Sequence, residues 1–242
     1  MSSTATDGIP GFHCIVLDTA GLRSHPCLQS LQAMVNDAFR ESEHKRFPTT
    51  ASVIATLGTH GRCSVIFRDE DTALISPVAT AMVKYYNPSA GLPSQTAGGE
   101  PSHGTPTHDS QPGYDKEPVH LLSIQDWEPA AVAVLPGDST LQKLGLAIHS
   151  VARLEQDLLS RWKQATKERA LSDTRDGPYG FGHNTKVTSL KFWIRAKESH
   201  APYWERRGYR FVHSKVYPKG VWGSEKELRV VTLNKDIPIL EI

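Results

Sequence analysis

The chain has few of the residues that build disulfide frameworks or metal sites. Its 242 residues include three cysteines, Cys14, Cys27 and Cys63, which lie far apart and form no Cys-x-x-Cys pair. Because disulfide-stabilised domains carry a larger and even set of cysteines, we expect free thiols and a reducing, cytoplasmic environment, with a nuclear location left open. The eleven histidines show no His-x-x-x-His or Cys/His ligand spacing, so we expect no metal site.

Long apolar runs, a strong net charge and the common nucleotide motifs are absent as well. No stretch approaches the roughly 20 apolar residues that span a bilayer, and the first residues lack the basic and apolar regions of a secretory signal. The net charge of +1 gives no reason to expect an anionic membrane or a nucleic acid as partner. Neither the Gly-x-Gly-x-x-Gly dinucleotide pattern nor the Gly-Lys-Ser/Thr phosphate loop occurs.

Hydrophobic periodicity predicts a single domain of α/β (α+β) class. β-branched and apolar runs predict strands at 13–18, 62–68, 72–86, 119–124, 130–135, 187–195, 209–217 and 227–233. Helical spacing predicts a helix from Pro26, a long helix from about 141 to 171, and a short helix at 199–207 that Gly208 ends. This mixed order predicts one sheet with helices on its faces.

The ends and the middle of the chain differ from this pattern in composition. Residues 1–11 are expected to form a flexible tail, followed by one domain over 12–242. Within that domain, residues 87–118 are rich in Pro, Gly, Ser and Thr and hold few large apolar side chains. Such a segment cannot bury enough surface to offset the entropy of ordering, so we predict a disordered insertion at 87–118.

The segment from 130 to 159 is the most informative stretch. An apolar strand is followed by a Pro-Gly-Asp-Ser-Thr turn and then by apolar residues at helical spacing. At the junction, Gly145 and Ala147 leave room for an anion near the first-turn N–H groups, and Lys143 adds charge. The same small residues are also explained if they simply let a helix pack closely. The six residues from Gln142 to Ala147 alone do not decide between an anion site and close packing.

Two motifs in the right order resemble the GNAT acyltransferase superfamily. Gln142 to Ala147 reads Gln-x-x-Gly-x-Ala, like the coenzyme A (CoA) loop of that family, and Tyr203 to Tyr209 (YWERRGY) resembles its later short helix. The segment 31–39 is similar to the first helix of the family. The resemblance implies a mixed, mostly antiparallel sheet with a central strand-loop-helix site for acetyl-CoA as the acyl donor.

The resemblance also implies which residues hold the donor. In the family, a splayed strand binds the pantetheine arm through its backbone, and the following loop surrounds the pyrophosphate. The matching strand residues here are Ala133, Val134 and Leu135. The matching loop residues are Gln142, Lys143, Leu144, Gly145, Leu146 and Ala147.

The candidate catalytic residues are Glu128 and Tyr203. Acyl transfer to an amine needs a base for the ammonium proton and an acid for the leaving thiolate. Glu128 and Asp126 precede the apolar run of the central strand, where either is a candidate base or a solvated strand-end carboxylate. The family commonly places the acidic Tyr where this chain has Trp204, and the neighbouring Tyr203 points about 100° away around a helix. Another group or water is the alternative proton donor.

The sequence therefore favours an N-acetyltransferase that transfers the acetyl group of acetyl-CoA to a primary amine of a small molecule or a protein. The alternative is a GNAT-fold protein that binds CoA with weak or no catalysis and serves as a regulatory or interaction module; Trp204 favours it. Binding to a nucleic acid through Arg206, Arg207 and Arg210 is disfavoured by the lack of a patterned basic face. A homodimer is left open, and the acceptor is not identified.

Overall fold

The structure is a computed structural model, and it describes residues 8–40, 45–86, 121–173, 188–219 and 225–239. Its strands are β1 (Phe12–Asp18), β2 (Arg62–Arg68), β3 (Ala79–Tyr85), β4 (Asp126–Val134), β5 (Ser189–Lys197), β6 (Arg210–Tyr217) and β7 (Leu228–Pro238). Its helices are α1 (Thr19–Ser24), α2 (Leu28–Ala38), α3 (Thr50–Leu57), α4 (Ser139–Gln142), α5 (Leu146–Asp173) and α6 (Ala201–Glu205).

One mixed sheet contains these seven strands in the order β1-β2-β3-β4-β5-β7-β6. Every neighbouring pair is antiparallel except β4 and β5, which are parallel. Parallel neighbours need a long crossover, and the connection that contains α5 supplies it. The predicted fold class, a mostly antiparallel mixed sheet with a central strand-loop-helix unit, is confirmed.

Polar side chains fix the starts of the shorter helices. At the end of β1, the Asp18 carboxylate accepts a hydrogen bond from the Gly21 N–H at 2.7 Å and begins α1. Thr49 and Ser52 form a reciprocal capping box at the start of α3. Gly58 ends α3 with a φ of +65°, which a residue without a Cβ adopts without strain.

Helices cover the two faces of the sheet in two separate groups. Helices α1, α2 and α3 pack over the first four strands, with a core formed by Leu22, Leu31, Val35, Val53, Leu57, Val65, Phe67 and Met82. Helices α5 and α6 pack on the opposite face, with a core formed by Val151, Leu154, Leu158, Trp204, Phe192, Ile194, Val231 and Leu233. Each large apolar side chain so buried contributes about 1.5–3 kcal/mol of transfer free energy.

Two ion pairs attach α5 to both halves of the sheet. Asp157 accepts from Arg62 of β2 at 2.7 Å, and Glu155 accepts from Lys235 of β7 at 2.9 Å. Arg62 is 7% exposed, so its guanidinium needs this partner. Helix α5 therefore holds together two groups of strands on either side of the β4–β5 contact.

Several predicted elements are confirmed and several are wrong. The strand at 62–68 is confirmed, and the strand at 72–86 is confined to 79–85, because residues before it form turns. Leu121–Ser123 is a 3₁₀ helix, so the strand predicted at 119–124 is wrong for its described part. The predicted long helix is two helices, α4 and α5, which are separated at 143–145. The insertion predicted at 87–118 lies outside the described residues.

No helix in the described ranges combines the length and the apolar character needed to cross a membrane.

Candidate functional site

The central parallel strands separate soon after they begin. Strands β4 and β5 pair only at Asp126 with Lys191 and at Trp127 with Phe192. Beyond these pairs β4 continues beside β3, and β5 continues beside β7. The sheet therefore opens into a fork, which we define as the space between residues 128–134 of β4 and residues 193–197 of β5.

One edge of β4 presents its backbone groups to the fork. Just after β4, Leu135 donates its N–H to the carbonyl of Val78, the residue before β3, at 2.8 Å. Neighbouring residues of a strand point their backbone groups to opposite sides, so Ala133 also faces β3, whereas Val132 and Val134 face the fork. Of the three residues predicted to hold a pantetheine arm, Val134 is thus the one oriented for it. Val132, which the sequence reasoning missed, joins it.

A bulge changes the alternation of β4 just before these residues. Val83 pairs with Pro129 and Met82 pairs with Ala131, so Ala130 has no partner in β3. The Ala130 carbonyl accepts a hydrogen bond from Arg46 Nη2 at 2.6 Å. The bulge therefore lies next to a cation that comes from the segment between α2 and α3.

The loop between α4 and α5 has the geometry of an anion site. Gly145 has a φ of +72°, and no heavy atom lies within 4 Å of the position that a Cβ would take there. His149 is the first α5 residue whose N–H reaches a carbonyl one turn earlier, that of Gly145, at 3.0 Å. The preceding N–H groups at Leu146 and Ala147 have no such partner and lie at the positive end of a 28-residue helix dipole.

The side chains of the predicted loop residues differ in exposure. Gln142, Lys143 and Leu144 are exposed, and Gly145 is exposed with them, whereas Leu146 is buried in the core beside Leu141. Asp138 accepts hydrogen bonds from Thr140 and pairs with Arg68 at 2.7 Å, which fixes the turn before the loop. The loop is therefore anchored by apolar side chains at its ends and is accessible between them.

Glu128 lies where the two strands separate, and it is almost completely buried. It is 5% exposed and accepts two hydrogen bonds from Arg195 of β5, Nε to Oε1 at 2.5 Å and Nη2 to Oε2 at 2.7 Å. Lys84 Nζ lies 3.8 Å from Oε2. The carboxylate thus joins the two strands across the beginning of the fork, on the sheet face opposite α5.

Burial affects the cations around Glu128. It lowers the pKa of Arg46 from its ordinary value; the charge of Glu128 opposes this and the charge of Arg195 adds to it. Burial likewise lowers the pKa of Lys84. The charge of Glu128 opposes this decrease, and the charges of Arg195 and Arg46 increase it. In both residues, burial therefore affects the pKa more than the opposing charge of Glu128 does.

Aromatic side chains line the same face beside the ion pair. Tyr86 stacks on Trp193 with ring centroids 4.8 Å apart, and Trp193 donates its Nε1–H to Asp126 at 2.6 Å. The Arg195 guanidinium lies 5.8 Å from the centre of the Tyr86 ring. Asp126, the other candidate base, is therefore engaged by an indole N–H and stands behind Glu128 at the closed end of the fork.

Trp204 lies on the other side of the sheet, in the core under α5, and the half-buried Tyr203 packs against this core. Trp204 is 8% exposed and contacts both Tyr203 and Tyr209 edge to face. The Arg207 guanidinium lies 3.5 Å from the centre of the Tyr203 ring, and burial raises the pKa of the Tyr203 hydroxyl from its ordinary value. The two candidate catalytic residues, Glu128 and Tyr203, are thus placed on opposite faces of the sheet.

The predicted basic cluster does not form one surface. Arg207 packs on Tyr203, Arg210 forms an ion pair with Asp236, and Arg206 is exposed. No group of three His, Cys, Asp or Glu side chains suited to a metal ion occurs among the residues that the structure describes.

Sequence reasoning missed Arg46, Lys84, Tyr86 and Arg195. The alternation of residues in β5 is a signal for Arg195. Every second residue is buried under α5: Leu190, Phe192 and Ile194. The residues between them are Lys191, Trp193 and Arg195. This alternation shows that polar side chains share one face, but it does not show which carboxylate they meet.

The arrangement defines a class of fold: a mixed sheet with an open central parallel pair, followed directly by an exposed helix N-terminus. No model of a protein family and no curated protein matches the chain. Solved structures match it over nearly their whole length. The fold is that of the GNAT acyltransferases, as the resemblance in sequence implies.

Three of the similar structures illustrate the likeness. The ribosomal-protein-S18-alanine N-acetyltransferase of Escherichia coli is 12% identical, with 95% of this chain and 96% of that chain covered and a TM-score of 0.50. A Salmonella typhimurium protein, described as an acetyltransferase and solved with its cofactor acetyl-CoA, is 11% identical, with 96% of each chain covered and a TM-score of 0.49. The ribosomal-protein-alanine N-acetyltransferase of Brucella melitensis is 13% identical, with 92% and 99% covered and a TM-score of 0.48.

Proposed function

We propose that this protein is an N-acyltransferase that takes an acetyl group from acetyl-CoA and transfers it to a primary amine of a small molecule or a protein. The observation that supports it best is the fork between β4 and β5, whose open end leads to the exposed loop before α5. An open strand edge offers unpaired backbone groups to an amide-containing arm, and a helix N-terminus offers N–H groups to a pyrophosphate.

The residues present fit such a donor. Val132 and Val134 offer backbone N–H and C=O groups to an amide-bearing arm, and the first turn of α5 offers N–H groups to the pyrophosphate. The open space at Gly145 lets phosphate oxygens approach the backbone closely. Acetyl-CoA supplies the acetyl group as a thioester.

The reaction needs a group that accepts a proton from the amine and a group that donates a proton to the sulfur. The amine nitrogen forms a bond to the acetyl carbon while the carbon–sulfur bond breaks, so the amine loses a proton and the sulfur gains one. Glu128 stands at the beginning of the fork as a carboxylate that can accept the amine proton, directly or through water, and Arg195 holds it in place. Tyr203 stays the predicted proton donor to sulfur.

A second candidate function is a CoA-binding module without efficient turnover. Trp204 occupies the position where the related family commonly places its acidic Tyr, and the indole is buried in the core. The bidentate contact with Arg195 also engages both carboxylate oxygens of Glu128, so an amine proton competes with two hydrogen bonds that are already made. Under this function the protein would bind acetyl-CoA and CoA equally well and would not release thiol.

Binding is tested by thermal unfolding with acetyl-CoA and with CoA. A ligand that binds only the folded chain adds about 2.7 kcal/mol at 100 times its dissociation constant. The Gly145→Asn variant should lose this stabilisation, because Asn tolerates a positive φ while its side chain enters the open loop. Gly208→Asn is the control: Gly208 has a φ of +84° and equally open space, and it follows α6 in a helix-ending turn of the kind that also accepts Asn.

Turnover separates the two candidate functions. Thiol release from acetyl-CoA on a panel of amines supports the acyltransferase, whereas binding without thiol release supports the module. Absence of stabilisation at millimolar acetyl-CoA and CoA contradicts both. The cytoplasmic location and a homodimer stay predictions.

A further inference from the structure

Four charged side chains meet at the start of the fork, and three of them are cations. Glu128 and Arg195 form a bidentate pair and neutralise each other. Lys84 Nζ lies 3.8 Å from Glu128 Oε2, and Arg46 reaches the carbonyl of Ala130, two residues along the same strand. Two positive charges thus remain beside a pair that is already balanced.

The two extra cations make few contacts that use their charge: Arg46 lies 5.7 Å from the centre of the Phe39 ring, and Lys84 shares Glu128 with Arg195. Arg46 satisfies a carbonyl freed by the bulge, which a neutral donor could also do. Lys84 faces a carboxylate that already accepts two shorter hydrogen bonds from Arg195. Half-buried cations are costly unless they meet an opposite charge. A mobile anion that binds between Lys84 and Arg46 supplies this charge.

We propose that the acceptor is an amine that carries its own acidic group, and that Lys84 and Arg46 bind that group beside Glu128. This inference rests on the proposed acyltransferase function and adds the class of acceptor to it. With the acidic group held by the two cations, the amine of a compact molecule such as an amino acid lies beside the Glu128 carboxylate. A guanidinium and an ammonium together suit both a carboxylate and a phosphate monoester.

Matched pairs of amines test the acceptor class. Glycine is compared with glycinamide, and phosphoethanolamine with ethanolamine, because the members of each pair differ by one acidic group. Each pair is compared at equal concentrations of the unprotonated amine, since the acidic group also changes the pKa of the amine. Two readouts are taken: thermal stabilisation of the CoA-saturated protein by each amine, and thiol release from acetyl-CoA. The acidic members should bind at least about tenfold more tightly, the loss of a charged hydrogen bond being of this size. The pair that shows the difference identifies the anion as carboxylate or phosphate.

Variants test the two cations. Lys84→Met and Arg46→Met keep much of the side-chain volume, and each should reduce the preference for the acidic amine about tenfold or more. The response to the neutral partner should fall less than the response to the acidic amine in each variant. Lys215→Met, which removes a lysine from the exposed edge strand β6, is the control and should change neither.

Different outcomes contradict this inference and the proposed acyltransferase function. Failure to bind acetyl-CoA or CoA contradicts the proposed function, and the acidic amines can then still be tested on the protein alone. CoA binding with equal response to the acidic and neutral amines, or with no response to either acidic amine, overturns the inference. So does an acid preference that survives in both Lys84→Met and Arg46→Met.

Discussion

Replacement of Glu128 by glutamine gives the sharpest test of the structure, because it removes one charge from a buried pair without changing its shape. The side chain is 5% exposed, and Arg195 opposite it is 12% exposed at its side chain. The variant leaves the guanidinium facing a neutral amide, in which an NH₂ group that cannot accept a hydrogen bond replaces one of the two carboxylate oxygens. Lys84, 3.8 Å away, loses its nearest carboxylate as well.

The expected loss is large compared with the stability of a domain. Breaking a buried ion pair by removing one partner costs about 3–5 kcal/mol, out of roughly 5–15 kcal/mol for a whole domain. At about 2–4 °C per kcal/mol for a chain of this size, the unfolding temperature should fall by roughly 6–20 °C. Replacing both partners, as Glu128→Met with Arg195→Met, leaves no unpaired charge at position 195 and should cost less than either single variant, Glu128→Met or Arg195→Met.

Urea unfolding of the wild type, the two single variants and the double variant measures the coupling between the two positions. The control is Asp236→Asn, which breaks the exposed pair with Arg210 and should cost about 1 kcal/mol or less. If Glu128→Gln costs no more than this control, or if the two single losses simply add in the double variant, the pair does not hold β4 and β5 together as described.

Three other changes have expected outcomes. Tyr203→Phe should lower kcat about 100-fold with little effect on the KM for acetyl-CoA if this hydroxyl protonates the thiolate, and an unchanged kcat assigns the proton to another group. Burial raises the pKa of Cys27 to about 11 and that of Cys63 to about 12, so neither thiol should react with a disulfide reagent at pH 8 until the chain is unfolded; rapid labelling of both would mean an open core. Asp157→Asn should destabilise the fold by about 1–3 kcal/mol in urea, because the buried Arg62 loses its bidentate partner, and a loss below 0.5 kcal/mol would show that α5 is not anchored there.

How much of the fold follows from sequence depends on the length and regularity of each element. The strand at 62–68 is predicted with its observed bounds, because seven residues rich in β-branched side chains lie between turns. The short helices α1 and α3 are not predicted, because six and eight residues are too few to show a helical period. The single Gly145 inside a helical pattern marks the break before α5, and a stricter reading of that glycine would have placed it.

Only part of the candidate site can be read from the sequence, because some of its residues are close in the chain and others are far apart. The loop from Gln142 to Ala147 is a local motif, so its position before a helix can be read directly from the chain. The pair of Glu128 and Arg195 joins residues 67 positions apart, and no local pattern reports which distant side chains meet. The positions of Lys84 and Arg46 depend in the same way on the order of the strands and on the bulge in β4.

The fork has a consequence for how backbone amides exchange with solvent deuterium. Strand β4 lies at the centre of the sheet, where slow exchange is the rule, yet every second amide of its last part faces a gap. The amide of Ala133 faces β3 and that of Leu135 is bonded to Val78 just before β3, so both should exchange slowly, whereas those of Val132 and Val134 should exchange as fast as in an edge strand. A ligand that bonds to this edge would slow Val132 and Val134 alone, and in that sense the bound molecule serves as the missing strand of the sheet.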